Sequence, residues 1–209
     1  MSFLEGRAGD ATIADGVPRE VRLGRWSELV TNLAGDYAEL MRHGHLYMAS
    51  MQAGAALGTA LTATAVTFTL YNPSGSAVIV ALIECAVVFT ALPAVAAGNN
   101  VALVYAANVD LDAAIPVTVT QLTVRNALLA QGIGSARAYS AATLPAVPVV
   151  VRVHPVGINN QTAVGMGTLA GKDLVNGAIG LQPNTAVTLQ AIGTASSGIV
   201  SMLWAEIPR

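Results

Sequence analysis

Along 62–71 the chain reads TATAVTFTLY, with Val66, Phe68 and Leu70 alternating with Thr67, Thr69 and Tyr71. That period of two is the pattern of a strand with one face toward a core. The turn residues NPSG (72–75) follow. Residues 77–91 are then apolar at both parities and rich in Val and Ile, which predicts a strand covered on both faces, inside a sandwich or between subunits. The rival reading is a bilayer-spanning helix, because 77–97 is long enough to cross. Glu84 lies near its centre and Pro93 near its end. A carboxylate at the bilayer midplane costs a few kcal/mol, and the β-branched residues favour the pleated alternative.

The same signal recurs downstream. Strands are predicted at 101–107 (VALVYAA), 116–124 (PVTVTQLTV), 147–153 (VPVVVRV), 186–192 (AVTLQAI) and 198–207 (GIVSMLWAEI), separated by stretches rich in Gly, Asn, Pro and Ser. Residues 125–132 read as a short helical turn or two. In the C-terminal stretch, QPNT and GTASSG are turns, and the two runs on either side of GTASSG read as a closing hairpin. Seven or more short strands at this spacing indicate an all-β, antiparallel sandwich.

The N-terminal part is of another kind. In RWSELVTNLAGDYAELMRHG, Trp26, Leu29, Leu33 and Tyr37 fall at helical spacing on an otherwise charged segment. Gly35 weakens a single helix, so an edge strand followed by a short helix at 36–42 is the alternative. MSFLEGRAGDATIADGVPREV lacks the apolar centre of a secretory signal and reads as an exposed arm. The expected organisation is an arm at 1–45 and a sandwich at 46–209.

Charge sharpens that division. Only 11% of the 209 residues are charged, against roughly 25% in an ordinary soluble protein. Residues 1–45 hold seven acidic and five basic side chains, whereas the remaining 164 positions hold five of each sign. A sandwich so poor in charge exposes long uncharged surfaces and tends to associate. A net charge of −2, without any Lys/Arg cluster, gives no footprint for nucleic acid. Cys85 is the single cysteine, inside an apolar run, and reads as a small buried hydrophobe.

Candidate chemistry is sparse. His43 and His45 on one side of a strand would need a third ligand to hold a metal. GMGTLAGKD (165–173) misses the phosphate-loop pattern at both ends, with Met166 and Asp173 where Gly and Ser/Thr are required. Asp110 and Asp112 suit a turn, with a weak Ca²⁺ alternative. The Ser, His and Asp residues follow no hydrolase order. His154, Asp110, Asp112 and Glu84 are the groups an unrecognised enzyme would use, and the residues support no enzyme, cofactor or metal.

Five segments carry a resemblance: GDYAELMRHGHLYMAS (35–50), FTLYNPSGSAVIVALIECAV (68–87), LTVRNALL (122–129), ARAYSAATLPAVPVVVR (136–152) and LQPNTAVTLQAIGTASSGIVSMLWAEIP (181–208). In these the chain resembles tailed-bacteriophage virion structural proteins. The resemblance implies a jelly-roll-like sandwich that copolymerises into a particle, assembled in the host cytoplasm. The leading expectation is a head decoration or cement protein. It would form a homo-oligomer, a trimer, and bind the major capsid protein or another virion protein, with Trp26, Leu29, Leu33 and Tyr37 anchoring the arm. The alternatives are a tail, neck or fibre component and a carbohydrate-binding module. The last should show loop aromatics, and Tyr139 is nearly alone in the loops.

Overall fold

The computed structural model describes residues 37–64, 66–91, 99–109, 120–129, 132–160 and 170–209. The chain divides into two units, Met1–Glu39 and Leu40–Arg209. Of the first, only the three residues from Tyr37 on are described. A short helix, α1 (Ala38–Arg42), crosses the division. Among the described residues the other regular elements are strands: β1 (Leu46–Ser50), β2 (Ala55–Ala56), β3 (Phe68–Asn72), β4 (Val78–Ala91), β5 (Asn99–Asn108), β6 (Arg125–Asn126), β7 (Arg137–Tyr139), β8 (Val149–Asn160), β9 (Ala170–Leu181), β10 (Thr185–Gly193) and β11 (Ser197–Pro208). Among the described residues no helix is long and apolar enough to cross a membrane. Residues 78–91 of the apolar run are strand β4.

The strands form two antiparallel sheets. The first has the order β6-β1-β11-β4-β9, with β2 beside β11, and the second β7-β3-β10-β5-β8. Four nested pairs, β1 with β11, β3 with β10, β4 with β9 and β5 with β8, mean that the chain doubles back after β5 into one long ribbon. That ribbon rolls until β11 meets β4 and β10 meets β5. This is the jelly-roll arrangement of an all-β sandwich. Strands β6 and β7 come from the segment between β5 and β8 and cap the far edge of each sheet.

The core fills the space between the sheets. Phe68, Leu70, Leu82, Leu103, Leu189, Met202 and Trp204 point inward and are fully buried. The outer face of the second sheet is also covered: Tyr71 and Ala186 pack with Val66, Tyr139, Ala142 and Leu144. There the Gln190 side chain clamps the backbone of Thr62, accepting from its N–H at 2.9 Å and donating to its carbonyl at 3.0 Å. Tyr139, a loop aromatic by sequence, is therefore buried packing.

Two turns explain local sequence. Gly75 takes φ +80, which a side chain would disfavour, and Asn72 secures the turn by donating to the carbonyls of Val78 and Leu181 at 2.9 and 3.0 Å. In β9, Asn176 and Gly177 are both left-handed, and the pairing with β4 slips between Leu82 and Glu84.

Several expectations need correction. GTASSG does not close a hairpin: β10 lies in the second sheet and β11 in the first, because alternation tells which face is buried but not which sheet a strand joins. Of the predicted strand 62–71, residues 62–64, 66 and 67 form no ladder and cover the second sheet, joined to Ala142 by one bridge at Val66. Within the predicted strand 116–124, residues 120–124 make one bridge, Gln121 to Tyr139. Leu122 and Val124 are buried and the alternation is real, yet this stretch runs alongside β7 without joining a ladder. Residues 125–126 form β6 and not a helical turn.

Candidate interaction surface

The outer face of the first sheet is open. Register places Met48, Leu203, Glu84 and Leu174 in one row across β1, β11, β4 and β9, and Ser50, Ser201, Ala86 and Lys172 in the next. Met48, Val88 and Leu174 are exposed. Glu84 and Lys172 bind each other at 3.2 Å, and the row of Met48 continues onto β6 at Arg125, so the face is sparsely charged, with its apolar side chains set among Ser50, Ser201 and these three ionised groups. Strand β4 is thus apolar on both sides because one side faces the core and the other forms this surface.

Beside β1 the face deepens into a groove of about 650 Å³, lined by Met48, Gln52, Glu84, Thr123, Arg125 and Leu129 among others. Its wall is held by Asn126, whose side chain donates to the Gly44 carbonyl at 2.7 Å and accepts from the Leu128 N–H at 2.9 Å. Leu129 closes the turn onto the Asn126 carbonyl at 2.8 Å. It does so at φ 54 and is exposed. A bulky side chain in the left-handed region is an outlier, here held out at the rim of the groove.

The groups with chemical potential lie elsewhere. Inside the sandwich, Tyr105 donates to Asp173 Oδ2 at 3.0 Å, and Arg152 reaches Asp173 Oδ1 at 3.1 Å. The His154 ring lies 5.7 Å from that of Tyr105, with Nε2 3.5 Å from the Cys85 carbonyl. Burial pushes the Cys85 thiol up to about 12, against a smaller lowering by its hydrogen bond with Tyr105. At neutral pH it is a thiol and a poor nucleophile. Burial, and then the charges of Cys85 and Asp173, push the Tyr105 hydroxyl well above its usual range. The cluster ties β4 and β9 of one sheet to β5 and β8 of the other.

Of the sequence candidates, Glu84 faces outward and His154 inward, on opposite sides of the first sheet, while Asp110 and Asp112 lie outside the described residues. His43 and His45 stack at 6.5 Å, and among the described residues no three His, Cys, Asp or Glu gather as a metal site. Trp26, Leu29 and Leu33 lie outside the described residues, and Tyr37 forms the turn before α1. Met48 and Leu174 have no sequence signal, because β1 (LYMAS) and most of β9 (AGKDLVNGAIGL) lack a clear run of β-branched residues. The double-sided apolarity of 77–91 was the available signal. Compared with known proteins, the chain matches no protein-family model, no curated protein and no solved structure.

Proposed function

We propose that the chain is a structural protein of a tailed-bacteriophage virion, and more particularly a decoration or cement protein that self-associates and binds the head shell. The observation that carries this reading is the open outer face of the first sheet, sparsely charged and exposing Met48, Val88 and Leu174, on a jelly roll whose last 164 residues hold five charges of each sign. Such a face is poorly suited to permanent exposure and well suited to burial against another protein. The segmental resemblance supplies the class of particle. In this reading the outer face meets the shell. The stripe of Trp26, Leu29, Leu33 and Tyr37 anchors the arm on the shell or on a neighbouring subunit, and a trimer is the closed cluster.

The test is quantitative mass spectrometry of purified virions together with imaging of the particle. Copies in numbers comparable with the shell protein, placed on the head, are expected. A few copies at one vertex or along the tail would assign the chain to the neck, tail or fibre. Its absence from purified particles would overturn the reading.

A further inference from the structure

The wall of the groove beside β1 is built onto the turn by which α1 enters the sandwich. Helix α1 stops at Gly44, which takes φ +72, and the Gly44 and His45 N–H groups donate to the carbonyls of Met41 and Leu40 at 2.9 Å, a glycine stop that passes the chain into β1. The Gly44 carbonyl accepts from Asn126, and Asn126 in turn holds Leu129 at the rim. Leu129 is 69% exposed in a left-handed conformation, strain of the kind that persists at ligand clamps and switch regions. Arg125, on the same wall, is exposed and among the described residues has no ion-pair partner, whereas Glu84 is already bound to Lys172. The groove therefore offers the apolar side chains Met48, Leu129 and Leu203 together with an unpaired cation.

We infer that this groove receives the 26–36 segment of a neighbouring copy, docked as a helix with its apolar stripe on Met48, Leu129 and Leu203 and with Asp36 against Arg125. Trp26, Leu29, Val30 and Leu33 occupy the i, i+3, i+4 and i+7 positions by which an amphipathic helix is read in a groove. On a helical wheel Asp36 lies at the flank of that stripe and Gly35 opposite it. Residues 26–36 carry Glu28 and Asp36 and no base, a charge opposite to the unpaired one in the groove. Lengths agree as well: the segment spans about 15 Å as a helix, and the Met48–Gln52 stretch of the lining about 14 Å as extended chain. Stripe and groove are different surfaces, so copies joined through them meet head to tail, and a head-to-tail contact can close into a ring. A copy that filled its own groove would gain nothing by associating.

The inference deepens the self-association half of the proposed function and rests on it, supplying the contact from which a trimer is closed, but it does not rest on the head-binding half. Its test uses the purified full chain, with Ala34→Cys beside the stripe and Thr123→Cys in the groove made in separate chains, one of them carrying a size tag. The native Cys85 is buried and does not compete. Under mild oxidation the mixture is expected to give the tagged–untagged dimer on non-reducing gels. A mixture with Val88→Cys, exposed on the same face outside the groove, is expected to give far less. Arg125→Glu is expected to reduce the mass seen by light scattering to that of a single chain, with an unchanged thermal melt, and adding Asp36→Arg to restore it. Mixed dimer no greater than in the Val88 control, wild-type mass retained by Arg125→Glu, or no recovery in the double variant would each overturn the inference and leave self-association standing. A chain carrying both Ala34→Cys and Thr123→Cys that closes only on itself would place the segment in its own groove and overturn it too. A wild-type chain monomeric at high concentration would overturn both, and copy counting in virions reads the head assignment separately.

Discussion

Trp204 shows how far one side chain organises this interior. Its ring is fully buried and stacks on Tyr47 at 6.5 Å, and its indole N–H donates to Glu206 Oε1 at 3.4 Å. The same carboxylate accepts the backbone N–H groups of Ser135 and Ala136 at 2.9 Å or less, which fixes the chain just before β7. Trp204→Ala is therefore expected to destabilise by about 3–5 kcal/mol, the range for truncating a core aromatic, as measured by urea unfolding. A loss under about 1 kcal/mol would contradict its placement. Cys85 supports a different measurement. Its folded thiol holds its proton up to about 12, whereas the unfolded thiol releases it near 9.0. This contribution is complete below pH 9 and is lost as pH climbs toward 12, at up to about 1.4 kcal/mol per pH unit. Cys85→Ala is expected to flatten the stability curve between pH 9 and 10, before the tyrosines join. Equal slopes for the two proteins would contradict this. Burial of Cys85 was legible from its apolar neighbours. The roles of Glu206 and Asp173 were not, since a carboxylate's partners are set by the fold and leave no local pattern.

At the scale of elements, the residues wrote some strands plainly and others hardly at all. Strands β4, β10 and β11 follow from runs of Val, Ile, Thr and Leu bounded by turn residues. In β9, Gly171, Lys172, Asp173 and Asn176 mask the alternation, and the left-handed pair at 176–177 resets its phase. Besides its ladder with β4, β9 is tied across the sandwich by the polar cluster it shares with β8, where Asp173 is buried and binds both Tyr105 and Arg152. Asp173→Ala is expected to cost about 2–4 kcal/mol, because it leaves a buried hydroxyl and a guanidinium without their acceptor. Amide exchange should rise first in β8 and β9. Lys172→Ala, one residue away, removes an exposed ion pair and is expected to change stability by less than about 1 kcal/mol. Denaturant unfolding of the two variants separates the cases, and similar losses would mean that the cluster does not join the sheets.

At the scale of the whole molecule, the question is what the charged N-terminal segment does for a sandwich that can be built without it. The strands lie within Leu40–Arg209, but residues close to that boundary belong to the fold. The His45 carbonyl accepts the Glu206 N–H at 2.9 Å, and the Gly44 carbonyl accepts from Asn126 at 2.7 Å. A cut after residue 45 would remove both acceptors together with α1, and a failure to bind would then be confused with a failure to fold. Removing 1–39 keeps them. The shortened chain is expected to melt cooperatively and to retain one buried tryptophan, Trp204, whose blue-shifted fluorescence reports the intact core directly, since Trp26 has gone. If the chain decorates heads as proposed, the same protein is expected to lose attachment to them, because the stripe of Trp26, Leu29, Leu33 and Tyr37 is an amphipathic segment suited to reach a neighbour. Co-sedimentation with purified heads, alongside the full chain, measures this. Wild-type attachment by the shortened chain would transfer the whole of shell binding to the outer face of the first sheet, where Met48→Glu or Leu174→Glu would then have to abolish it.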